Sequence, residues 1–191
     1  MKTATCLDEM LASRAGSDAY SNYKKFVEHL DTRVSTLKTR HNHDMKCGVG
    51  CDSCCLTSRS VLPVEGSFIL KALRRLDGDF RGKLLEFAQG NLNVCPMLLG
   101  GVCSIYESRP VICRTHGLPL LVDTGEEIGV DYCQSNFADR DHAEPFDGTE
   151  VMDTLELNAN LRRINEEFIG SNLTPETRID ILDILNHSTL S

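Results

Sequence analysis

Clustered positive charge is missing from this chain. Its 20 Lys and Arg are outnumbered by 28 Asp and Glu, giving a net charge of -8. A surface that follows phosphates needs concentrated Lys and Arg, so nucleic acid and anionic membrane are set aside as partners. Long apolar runs are missing too. No window approaches 18 consecutive apolar residues, and the N-terminal MKTATCLDEMLASRAG turns acidic after seven residues. Taken as a full-length chain, it is therefore expected to have neither a spanning helix nor a signal-type apolar segment, and to reside in the cytoplasm. A phosphate-binding glycine loop is also lacking, because Gly100-Gly101 has the flanking pattern of neither a P-loop nor a dinucleotide fingerprint. No organic cofactor is indicated. Repeats, low-complexity tracts and long linkers are absent, and strand signals are few.

Against these absences stand nine cysteines, eight of them between positions 47 and 133, with Cys6 the outlier. In a reducing compartment such a cluster reads as metal-binding or catalytic before it reads as a disulfide framework. The stretch CGVGCDSCC sets Cys47, Cys51, Cys54 and Cys55 within nine residues. Three thiolates at C-x3-C-x2-C suit either a four-iron cubane or part of a tetrahedral zinc site, and spacing alone does not choose. Side chains of adjacent residues point well apart in most backbone conformations. One of Cys54 and Cys55 is therefore expected to serve a second metal, to bridge, or to stay a free thiol. Cys95, Cys103, Cys113 and Cys133 complete a set of eight, the ligand count for two four-sulfur sites, or for one cluster with extra thiols for a substrate metal. Eight free thiols close together would be an oxidation hazard, which favours metal occupancy.

The flanks read as helix. Tyr23, Val27, Leu30, Val34 and Leu37 recur at spacings of four, three, four and three, one face of an amphipathic helix over about 18–41. A shorter helix is expected before it, capped by Thr5 with Asp8 and Glu9 in its first turn and broken near Gly16. Pro63 to Leu76 and Phe80 to Ala88 read as two short helices around the turn at 77–79. Thr149 is expected to cap a helix with the stripe Leu157, Leu161, Ile164 and Phe168, stopped at Gly170. A last helix is expected to begin at Thr174-Pro175. Strand signals are confined to Val102 to Tyr106 and to a hairpin of Leu118 to Val122 with Glu127 to Tyr132. The expected fold is mainly α with a small β-hairpin, helices wrapped round an irregular cysteine-rich centre. It is read as a single domain: an N-terminal helical segment 1–43, a metal-binding core 44–138 and a C-terminal helical segment 145–191.

The patterns CGVGCDSCC, CPMLLGGVCSIYESRPVICRTHGLPL and YCQSNF resemble, in order, the YkgJ-like cysteine-cluster family of zinc- or iron-chelating domains. The resemblance runs from Cys47 to about Phe137. It implies metal chelation by Cys47, Cys51, Cys54, Cys55, Cys95, Cys103, Cys113 and Cys133, and it implies no reaction. Around these ligands, Arg109 and Arg114 are expected to offset thiolate charge, and His116, three residues after Cys113, to ligate a metal, donate to a sulfur or pack. Gly48, Gly50 and Gly101 are expected to let backbone N–H groups approach sulfur. His41 and His43 suit a helix C-terminus, and His142 lies in an acidic loop.

Two function classes follow. In one, the cysteines hold one or two iron-sulfur clusters, and the protein is a redox or cluster-handling accessory. In the other, they hold zinc in a structural or metal-delivery module. The adjacent pair together with C-x3-C-x2-C favours the polynuclear iron-sulfur centre. The expected partner is a redox or metal-transfer protein, and the helical faces at 18–41 and near the C-terminus offer surfaces for a homo-oligomer. No catalytic residue is assigned. The chain lacks the length and the repeated strand-helix units of a complete radical-enzyme barrel.

Overall fold

A computed structural model describes residues 10–48, 50–141 and 144–189. Its longest element is α1, Asp18–Arg40, started by the Ser17 hydroxyl accepting from the Tyr20 N–H and charged to suit its dipole, with Asp18 in the first turn and Lys38 and Arg40 in the last. Its buried residues include Tyr23, Val27, Leu30, Val34 and Leu37, the stripe read from spacing. Residues 10–13 are helical and end in a turn at 14–16, whereas Thr5, Asp8 and Glu9 lie outside the described residues.

Helix α2, Pro63–Leu73, has proline at its start and the Glu65 carboxylate accepting from the Leu62 N–H. Helix α3, Gly78–Gly90, is capped by Asp77, which accepts from Asp79 and Phe80. A short α4, Val111–Thr115, follows the cysteine segments, and α5, Thr154–Ile169, and α6, Ile181–Ser188, close the chain. Helix α1 packs on α5 and α2, α2 on α5 and α6, and α3 on α6. Their shared core holds Tyr23, Leu37, Ile69, Leu73, Leu84 and Phe168, each without exposed surface. Each such aliphatic or aromatic side chain contributes about 1.5–3 kcal/mol by leaving water.

Strands are short and local. The segment after the CGVGCDSCC loop, β1 (Ser60–Val61), pairs antiparallel with β7 (Ile179–Asp180), so the entry to α6 is tied to the cysteine loop. Strands β2 (Leu98–Leu99) and β3 (Val102–Cys103) form a hairpin whose two turn residues, Gly100 and Gly101, have φ of 61° and 75°. Positive φ at both positions is the requirement of a tight type I′ connection, which glycine meets without strain. Strands β4 (Leu120–Asp123) and β5 (Ile128–Asp131) form the hairpin expected around Asp123, with β6 (Met152–Asp153) added in parallel to the other side of β4. The fold is mainly α with small hairpins.

Three expected boundaries move. Thr149 caps no helix: it sits in a turn where the Asp147 carboxylate accepts from its N–H and hydroxyl, and Asp153 caps α5 instead. Thr174 and Pro175 form a turn closed by Thr177 N–H to Thr174 C=O, because Ile179 is committed to β7 before α6 begins. Val102 to Tyr106 is a strand only through Cys103, after which Tyr106–Ser108 makes a 3₁₀ turn.

Candidate metal centre

The cysteines come together from five segments. In the first, Cys51 N–H bonds Gly48 C=O and Cys55 N–H bonds Asp52 C=O, winding Ser53–Cys55 into a 3₁₀ turn. The backbone then joins the second segment directly, through Cys95 N–H to Cys55 C=O at 2.7 Å. Cys95 lies three residues before the β2–β3 hairpin, and Cys103 ends that hairpin opposite Leu98. Their sulfurs accept the backbone N–H groups of Met97 and Ile105 respectively. Each donor lies two residues after its cysteine, a local geometry that favours thiolate and therefore metal ligation. Cys113 rides on α4, and Cys133 follows β5. The eight described cysteines are all free of disulfides, so every sulfur is present as a thiol donor.

These thiols fall into neighbourhoods. Cys51 hydrogen-bonds the Cys47 thiol and also feels Cys54 and Cys133. Cys55, Cys95, Cys103 and Cys113 influence one another, and Cys54 acts on Cys95 and Cys103 as well. Cys54 stands between, hydrogen-bonded to Cys55 and close to Cys47. Burial, before any neighbouring charge, pushes the thiols of Cys51, Cys54, Cys55, Cys95, Cys103 and Cys113 up, with Cys113 pushed up to about 12. Among the described residues, no three His, Cys, Asp or Glu side chains already enclose a point where an ion would sit.

Three residues that spacing did not reveal hold the centre together. Asn136 is buried at 1% exposure; its carbonyl accepts from Lys46 N–H at 2.8 Å, and its amide donates to Gly117 C=O at 2.7 Å and to the Cys47 sulfur at 3.3 Å. Gly117 has φ of 91°, and a Cβ there would meet the Cys47 sulfur at 2.8 Å and the Asn136 amide nitrogen at 3.0 Å. Only glycine lets the chain pass so close to that thiol. The third is Arg59, which donates to Cys54 C=O at 2.9 Å and whose charge pulls down the thiols of Cys54, Cys55, Cys95 and Cys113 against the effect of burial. It is the only Lys or Arg between Lys46 and Lys71, an isolation that is visible in the sequence.

Beside Asn136, Phe137 is the one non-glycine residue with positive φ among the described residues, at 58°. It is fully buried, its ring 5.1 Å from those of His41 and Tyr132 and 5.4 Å from that of Phe146. Such a conformation costs on the order of 1–3 kcal/mol and persists where packing over-determines it. Here the packing fixes the corner that aims Asn136 at Cys47.

The other expected residues are placed as follows. Arg109 lies over the Tyr106 ring at 3.5 Å, donates to Tyr106 C=O at 2.8 Å and to Cys113 C=O at 3.4 Å, and acts on Cys103. Arg114, expected beside the sulfurs, is buried and directed elsewhere: it grips the Asp31 carboxylate of α1 at 2.6 and 2.7 Å and donates to the carbonyls of Arg109 and Glu107. Its role is to dock α4 on α1. His116 is half-buried at the end of α4; burial lowers its pKa, and its charged neighbours are Arg59 and Asp131. His41 is buried against Phe137 and Phe146, with Nε2 2.9 Å from Glu150 C=O. The backbone N–H groups that do reach sulfur include those of Met97 and Ile105, and His142 lies outside the described residues.

The donor set fits a thiophilic metal. Soft sulfur donors in this number, two of them already receiving backbone N–H bonds, are the chemistry that selects zinc or iron-sulfur centres over hard cations. No curated protein and no solved structure matches the chain. A family model does match, and it spans all eight cysteines of the centre: residues 46–140 belong to the CxxCxxCC family, described as a "putative zinc- or iron-chelating domain".

Proposed function

We propose that this protein carries iron-sulfur clusters on its clustered cysteines and serves as a redox or cluster-handling accessory. One observation carries the reading: eight free thiols from five segments are linked through one network of thiol–thiol interactions, more sulfur than one mononuclear tetrahedral site uses. Cys47, Cys51, Cys54, Cys55, Cys95, Cys103, Cys113 and Cys133 would be the ligands. A bound cluster would supply one-electron transfer. The N–H donors of Met97 and Ile105 and the charge of Arg59 are groups of the kind that tune cluster potential. Large exposed apolar side chains are chain neighbours of three of these ligands: Leu56, Val102 and Ile112 beside Cys55, Cys103 and Cys113. They offer an apolar rim to the protein that exchanges electrons or metal with the centre.

The test is iron, zinc and acid-labile sulfide analysis of protein purified without oxygen and without an affinity metal column, together with its visible spectrum. Iron with sulfide and broad charge-transfer absorption is the expected result. A colourless protein containing zinc alone would replace this reading with a structural or metal-delivery module.

A further inference from the structure

A cleft lined by none of the cysteines lies between α1 and the segment that leads into α4. It is open to solvent and encloses about 550 Å³, within the range of small-molecule sites. Asp31 on the α1 wall and Arg114 on the other neutralise each other through contacts of 2.6 and 2.7 Å. That leaves Lys38 on the α1 wall and Arg109 on the other, with Glu107 the one remaining acid of the lining. Among the described residues neither cation has an ion-pair partner. In a chain of net charge -8, two such cations lining one cleft are a local reversal of sign, which attracts anions. Arg109 is also held in place: its Nε donates to Tyr106 C=O at 2.8 Å, its Nη1 to Cys113 C=O at 3.4 Å, and its guanidinium lies 3.5 Å over the Tyr106 ring. A cation fixed in this way loses little freedom when a ligand arrives.

We propose that this cleft binds a small organic dicarboxylate, one carboxylate on Arg109 and the other on Lys38, with the exposed Ser35 hydroxyl and Asn42 amide donating to the remaining oxygens. Charge and size select the class. The two cations come from different walls, so they match a ligand with an anionic group at each end better than a single-centred ion such as phosphate. The space also exceeds what one inorganic ion fills, since a water molecule's share of liquid is only about 30 Å³. Glu107 raises the cost of any further negative charge on the ligand. The site contains none of the eight cysteines, so it stands or falls apart from the metal reading.

The experiment titrates the full chain, purified without oxygen, with malate and separately with inorganic phosphate at matched ionic strength, followed by calorimetry and by ligand-observed NMR. Malate is chosen over a tricarboxylate because it competes only weakly for bound metal. Saturable one-to-one binding of malate that weakens as salt is added is expected, with phosphate about tenfold weaker or more. Lys38→Met and Arg109→Met should each weaken malate by about tenfold or more, the loss of one charge-assisted bond. Lys25→Met, which removes an exposed cation of α1 outside the cleft, should leave malate binding unchanged. Arg109 also contacts the cysteine segment, so where Arg109→Met fails to fold, Lys38→Met, with helical content checked by circular dichroism, decides. No saturable binding of malate, or equal weakening by Lys25→Met and Lys38→Met, would overturn the site. Phosphate binding as tightly as malate would overturn the dicarboxylate assignment.

Discussion

At the scale of single residues, the centre depends on side chains that carry no metal. Gly117 combines a left-handed backbone with a 2.8 Å approach of its missing Cβ to the Cys47 sulfur. Gly117→Ala is expected to cost about 1–3 kcal/mol through the backbone alone and to displace Cys47 as well, so chemical denaturation and zinc competition should both worsen. A loss of stability with unchanged zinc affinity would separate Gly117 from the site. Arg59→Met should weaken metal binding without unfolding the chain, because the residue is partly exposed and its interactions are with Cys54 C=O and with thiolate charge. Of this scale the sequence showed the eight sulfurs and hid their supports. Asn136 sits 89 residues from Cys47 and 19 from Gly117, and nothing in local spacing marks an asparagine as a clamp. Arg114 was misplaced for the related reason that its partner, Asp31, lies 83 residues away on another helix.

At the scale of elements, α4 is the piece that positions Cys113, and it has only five residues. A helix that short has little intrinsic stability, so tertiary bonds must hold it. Glu65, buried at 3% exposure, accepts from Val111 N–H at 2.9 Å at its start, and Arg114 ties its end to Asp31. The same Glu65 carboxylate caps α2 through Leu62 N–H, so one side chain links two helix starts. Glu65→Gln keeps the shape but turns an N–H₂ group toward one of the two donors. It is expected to cost roughly 1–3 kcal/mol and to loosen Cys113, read as a lower melting temperature and a weaker charge-transfer band in the cobalt-loaded protein. An unchanged band would confine Glu65 to helix capping. Helix faces were legible here, since the stripe from Tyr23 to Leu37 is buried as its spacing required. Starts were less so: Thr149 and Thr174-Pro175 have the right residue types for caps, and the chain uses them in turns because Met152 and Ile179 are drawn into strand pairing first.

At the scale of the whole molecule, an apolar helical frame carries a polar, thiol-rich centre. Helices α1, α2, α5 and α6 bury the core, while the segments bearing the cysteines are held by turns, two-residue strands and cross-segment hydrogen bonds. Binding energy at sulfur therefore becomes ordering energy for those segments. Removing metal under reducing conditions should raise amide hydrogen exchange across 44–60 and 90–117 and leave α1 and α5 protected. Uniform loss of protection would mean that frame and centre fold as one unit. The class of the fold was legible from helix periodicity and cysteine clustering, whereas the meeting of five segments was not, because it is fixed by contacts between residues far apart in the chain.

The central claim is that the clustered cysteines hold metal through sulfur. The most direct test is X-ray absorption at the iron and zinc edges of protein purified without oxygen. The account predicts a first shell of sulfur alone at about 2.3 Å, with an iron neighbour beyond it if the centre is a cluster. A shell dominated by oxygen or nitrogen would contradict it.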